Sequence, residues 1–167
     1  MKEYLIRMIY VEMLGHDASF GHIHAVKMVS RKNLLEKRVG YLAVQLTLHQ
    51  NHSFMLLLVN SLQTDLRSDN FLEVCWLLWS LGCQVSMSLG VVCRLVNEET
   101  IPALQTLVVA LLDHPQANVR KKAVMGLHRF HQIDSSSISS LNDKVRKVLC
   151  DKDPCVMAAS LCLLYDL

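Results

Sequence analysis

Apolar positions recur along this chain at helical spacing. The clearest run is Leu35, Val39, Leu42, Leu46 and His49, at steps of four, three, four and three residues. Such steps place side chains on one side of a helix. Lys37 and Arg38 fall off that side, and Gly40 permits a second helix to approach closely. Upstream, Leu5, Ile6, Met8, Ile9 and Val11 predict a helix over 3–14. A turn at Gly15–Ser19 follows, with Asp17 or Ser19 placed to cap the next element. That element, over 20–30, carries Phe20, Ile23, Val26 and Met28 as its stripe. Arg31-Lys32-Asn33 breaks it before the Leu35 helix. A polar corner, Asn51-His52-Ser53, precedes a helix over 54–67 striped by Met55, Val59, Leu62 and Leu66, with Ser53 as its cap. Ser68-Asp69-Asn70 closes it, and another helix is expected from Phe71.

From Trp76 to Gly90 the periodicity blurs. Beyond it, Thr100-Ile101-Pro102 puts proline in a first helical turn behind a hydroxyl, a start signal for a helix to Leu112. Asp113–Gln116 turns the chain into a helix over 118–130, with Val119, Ala123, Leu127 and Phe130 in register. A serine-rich loop at 134–137 leads to a helix ending near Cys150, and Asp151-Lys152-Asp153-Pro154 opens the last one, to Leu164. Nothing reads as a strand. The chain is predicted to be all-α, with about nine or ten helices in successive pairs.

Leu35-Glu36-Lys37-Arg38-Val39 lies over Val119-Arg120-Lys121-Lys122-Ala123, and over Val156-Met157-Ala158-Ala159 more loosely. Leu35 to Leu72 and Val119 to Val156 are each 37 residues, whereas Leu72 to Val119 is 47. A period near forty with two helices per unit is that of armadillo and HEAT α-solenoids, in which stacked pairs bury faces that one pair cannot. The surplus falls in the blurred stretch, so residues 76–90 are expected to be an atypical insertion within a repeat. Apolar residues run to both ends, as expected of a solenoid fragment or of one whose ends another subunit covers.

A formal charge of +2 supplies no basic stripe, which disfavours nucleic acid as a partner. Arg31-Lys32, Lys37-Arg38 and Arg120-Lys121-Lys122 are expected on solvated helix faces. The six cysteines have neither a C-x-x-C nor a zinc spacing, and read as reduced, mostly buried thiols of a cytosolic chain. Val74–Cys93 is twenty residues without a charge, but Ser80, Gly82, Gln84, Ser86, Ser88 and Gly90 dilute it below a membrane span.

Candidate chemistry is sparse. His22 and His24 lie on different faces of their helix, and the His128–His131 pair leaves a zinc site two ligands short, so no metal is expected. Trp76 and Trp79 read as core or interface. No phosphate-cradling loop, nucleophile elbow or catalytic constellation is present, and neither enzyme activity nor a cofactor is predicted.

Several segments nonetheless resemble one family. Residues 9–21 (Ile9 to Gly21), Lys37–Val44, Leu57–Gln63 and Val119–Ala123 look like the N-terminal trunk of adaptin large chains. Taken together these segments are most similar to the epsilon type of the fourth adaptor complex, and Asn97–Pro102 and Leu149–Pro154 resemble its plant form. The resemblance covers 1–75 and 91–167, so residues 1–167 are expected to be an adaptin N-terminal domain, as a fragment of a longer chain. It implies an armadillo-like trunk in a heterotetramer with a beta-type large chain, a medium chain and a small chain. Such complexes are recruited by GTP-loaded Arf-family GTPases to trans-Golgi network membranes and vesicles, where they sort transmembrane cargo from the cytoplasmic side. In related large chains the helix after the Phe-Gly pair gives apolar contacts to the GTPase. Here that implies Ile23 and Val26. A generic, karyopherin-like helical scaffold is the alternative.

Overall fold

A computed structural model describes residues 1–50, 52–67, 84–136 and 142–166. Among them it forms nine α-helices and no strand. They are α1 (Lys2–Met13), α2 (His22–Val29), α3 (Leu34–Thr47), α4 (Met55–Leu66) and α5 (Gln84–Leu95). Then come α6 (Ile101–Ala110), α7 (Ala117–Ile133), α8 (Asn142–Leu149) and α9 (Pro154–Asp166). The expected start at Phe71, the Trp76–Trp79 pair, Cys75, Cys83 and residues 76–83 of the atypical stretch lie outside the described residues.

The odd-numbered helices pack in series, α1 on α3, α3 on α5, α5 on α7 and α7 on α9. The even helices form a second layer, α2 on α4 and α4 on α6. Consecutive members close the pairs α2/α3, α4/α5, α6/α7 and α8/α9. This is the two-layer α-solenoid that the repeat requires. The three overlaid helix starts all fall in the odd layer, on α3, α7 and α9.

On α7 the expected stripe reads true. Val119, Ala123, Leu127 and Phe130 of α7 are all fully buried. On α3 the core face is rotated from the expected one. Leu35, Leu42 and Leu46 are 51%, 50% and 37% exposed and His49 is exposed, whereas Lys37, Gly40, Tyr41, Val44 and Thr47 are buried. The reason is the contact with α2. A Cβ on Gly40 would stand 2.8 Å from the Val29 nitrogen and 3.2 Å from the Ala25 carbonyl oxygen. The glycine side of α3 therefore turns inward, taking Tyr41 and Val44 with it.

The blurred stretch resolves in its second half. Residues 84–90 open α5, with Val85, Ser86, Ser88 and Leu89 buried. No described helix is long and apolar enough to cross a membrane. The capping expectations need revision at three places, one of them Thr100, whose hydroxyl makes no cap bond to its helix and donates instead to the Asn97 carbonyl oxygen at 3.0 Å. The Phe54 amide donates to His52 Nδ1 (3.2 Å) rather than to Ser53, and Asp17 accepts from Ser19 inside the α1–α2 turn. The cysteines differ too: all four described ones are free, but only Cys93 is largely covered, while Cys150, Cys155 and Cys162 are exposed.

Candidate protein-binding face

α2 is held from both sides by glycine contacts. Gly21, just before it, lies so close to α1 that an added Cβ would stand 1.8 Å from Met8 Sδ. Gly40 of α3 makes the other close approach. Between them His22, Ala25, Val26, Met28 and Val29 face inward. The opposite side is open. Ile23 is 38% exposed and Phe20, in the preceding 3₁₀ turn, is 73% exposed, while Val26 keeps only 5% of its surface. Ile23 is thus a surface residue, whereas Val26 is a core residue. Phe20, expected within the stripe, is outside it. Further apolar side chains are exposed on the other elements, among them Tyr10 and Met13 of α1, Leu56 and Leu57 of α4 and Leu161 of α9.

Below this surface lies a polar cluster the sequence did not announce. Lys37 is buried, and its Nζ donates to Asp65 Oδ1 of α4, while the Tyr41 hydroxyl donates to Asp65 Oδ2. Burial, and then the bond to Asp65, push the Tyr41 hydroxyl above its ordinary range. Lys37 is therefore not on a solvated face, because a buried ammonium is stable only beside a paired carboxylate. Arg120 is the counterpart on α7. Its Nε and Nη2 donate to Asp151 at 2.7 and 2.8 Å, and Nη1 donates to the His114 and Pro115 carbonyl oxygens. Lys37 and Arg120 are each the fourth residue of an odd-layer helix, and each finds its aspartate about thirty residues on. Lys122 donates to the Ser86 carbonyl oxygen at 2.9 Å, so the basic triplet also departs from a solvated reading.

The histidines separate by environment. His22 is buried and His24 exposed, as their spacing requires. His128 meets the Asp166 carboxylate and His131 its backbone carbonyl, which ties α7 to the end of α9. Among the described residues no group of three or more His, Cys, Asp or Glu side chains is arranged to hold a metal ion.

A two-layer solenoid that fixes its helices by internal ion pairs and leaves apolar side chains on its surface defines a class, the helical-repeat scaffolds. The family pattern described as Adaptin N terminal region matches residues 1–167, and the chain belongs to that family. It is similar to the AP-4 complex subunit epsilon of Arabidopsis thaliana, 56% identical over all of this chain and 17% of that protein. It is also similar to the AP-4 complex subunit epsilon-1 of Homo sapiens, 50% identical over 96% of this chain and 13% of that one. The AP-2 complex subunit alpha-1 of Arabidopsis thaliana is more distant, at 31% over 99% of this chain and 16% of that one. The chain thus spans less than a fifth of these relatives. In structure it is similar to a chain of a full-length AP-3 complex homology model in an intermediate open conformation. That match has a TM-score of 0.79 at 23% identity, over 99% of this chain and 27% of the other.

Proposed function

We propose that this chain acts as part of a large subunit of a heterotetrameric vesicle-coat adaptor complex, as a binding scaffold in intracellular protein transport. The observation that carries this reading is the adaptin match across the whole chain. The exposed Ile23, Leu42 and Leu56 on an otherwise well-packed solenoid support it. A beta-type large chain, a medium chain and a small chain are its partners. A GTP-loaded Arf-family GTPase recruits it to trans-Golgi network and vesicle membranes, where it works peripherally from the cytoplasm in sorting transmembrane cargo. The GTPase contact centres on Ile23, three residues after Phe20, with Val26 in the core of the same helix. The work is binding, with no catalytic step, cofactor or nucleic acid. A karyopherin-like scaffold shares the architecture, but does not account for 56% identity to an adaptor subunit over the full chain.

Ile23→Asp tests the GTPase contact. Ile23 is exposed, so helicity is expected to stay unchanged while recruitment by a GTP-locked Arf protein falls about tenfold or more, the loss of an apolar anchor. Unaltered recruitment would remove Ile23 from the contact. Val26→Asp is unsuitable, because it buries a charge and would unseat α2 itself. Assembly is tested separately, by co-expression with the small and beta-type chains.

A further inference from the structure

His22 is the first residue of α2 and keeps 9% of its surface. Its Nε2 is enclosed and has no hydrogen-bond partner. The ring meets that of His52 edge-on, with centroids 5.4 Å apart and planes at 74°. His52 in turn is fixed in the corner between α3 and α4. Its Nδ1 accepts the Phe54 amide proton, and its ring lies 4.8 Å from that of Phe54. An imidazole nitrogen that accepts a proton bond carries none of its own, so this geometry belongs to neutral His52. Neutral His22 is likewise the form that an enclosed, unpartnered nitrogen tolerates, because an imidazolium there would bury a charge.

We propose that the His22–His52 contact is an acid-sensitive seat for α2, closed while the enclosed His22 ring is neutral and loosened when it takes up a proton.

The groups facing His22 come from every side of the contact. His52 and His49, from the corner after α3, disfavour a proton on His22, and Glu12 of α1 and Asp17 of the following turn favour one. Both carboxylates are already engaged. Glu12 accepts from the Ala18 amide at 3.1 Å, and Asp17 accepts from the amide and hydroxyl of Ser19 at 2.9 and 3.1 Å. The position of His22 at a helix N-terminus disfavours a cation further, since the helix dipole is positive there. Burial, and then His52, hold the His22 imidazole below its ordinary value of 6.5. The sign follows from linkage. A histidine with a depressed folded value contributes stability that is complete above its unfolded value, and loses it as pH falls through that value toward the folded one. Seating of α2 is therefore firm at neutral pH and weakens on mild acidification. The exposed Phe20 and Ile23 are displayed by this same segment, so their presentation is coupled to pH whatever protein docks on them.

His128 and His131 of α7 contact Asp166 at the end of α9, so a global melt would combine several histidine environments, and the test must be local. Hydrogen exchange of the 167-residue chain, corrected for intrinsic rates, is compared between α2 and α5, a helix without histidine, at about pH 7.5 and about pH 5.5. Protection of α2 relative to α5 is expected to fall severalfold and by at most about tenfold, the limit set by the one unit between about pH 5.5 and the ordinary value of 6.5. His22→Phe keeps a ring against His52 and removes the titration, and is expected to abolish most of that fall. The same α2-to-α5 ratio at both pH values, or an unchanged fall in His22→Phe, would overturn the proposal. If His22→Phe does not fold, the imidazole resonances of the unaltered chain decide. His22 is expected to titrate below 6.5, and titration at or above that value overturns the proposal.

Discussion

Gly40 and Lys37 lie three residues apart on α3, and only one of them could be read from the sequence. A glycine among apolar helical positions signals close approach, and α2 does come within 2.8 Å of where its Cβ would be. Lys37 beside an apolar stripe reads as solvated, because the carboxylate that neutralises it stands 28 residues away on another helix. Gly40→Ala is expected to destabilise the chain by about 1–3 kcal/mol, the cost of overpacking against backbone that cannot shift cheaply. Urea unfolding measures it, and an alanine variant as stable as the original would contradict the close packing. Lys37→Met is expected to cost about 3–5 kcal/mol by leaving Asp65 with its charge uncompensated. Adding Asp65→Leu to Lys37→Met should cost less than the two single changes summed, since the pair is lost together. Strict additivity in that cycle would show that the two side chains do not interact.

Helix by helix, legibility depended on which face the closest neighbour takes. All four expected α7 positions are core, although α7 packs on α5, α6 and α9. On α3 the close approach of α2 at Gly40 sets the rotation, so the buried arc is centred on Gly40, Tyr41 and Val44 rather than on the leucine stripe. α5 was hidden for another reason. Ser86 and Ser88 break its apolar pattern, yet both are buried, and the Ser88 hydroxyl donates to the Val85 carbonyl oxygen at 2.8 Å. A hydroxyl satisfied by its own helix belongs in a core but reads as polar in a sequence. The Arg120–Asp151 pair joins α7 to the turn before α9 on the same scale. Arg120→Ala is expected to cost about 2–3 kcal/mol, since it removes charge-assisted bonds to Asp151 and to two carbonyl oxygens. The hydrogen bond from Arg120 holds the Asp151 carboxyl below its ordinary value of 3.8. The stability from that depressed value is complete above 3.8 and lost as pH falls through it toward the folded value, and Arg120→Ala should flatten that part of an acid-unfolding profile.

For the molecule as a whole, the period near forty was enough to give the solenoid, because stacked pairs are the architecture that buries the stripes at that spacing. The surface was not legible in the same way. A sequence cannot distinguish apolar residues that fill the interior from those left exposed, and Leu35, Leu42 and Leu46 look like core residues until α2 fixes the rotation of α3. Those residues, with Phe20, Ile23 and Leu56, leave apolar side chains on the surface, and the proposed binding role rests in part on them. Co-expression with cognate small and beta-type adaptor chains, followed by size-exclusion chromatography at near-physiological salt, tests this most directly. The expected result is one stoichiometric complex containing all three chains. A folded 167-residue chain that elutes alone in the presence of both would contradict the adaptor reading.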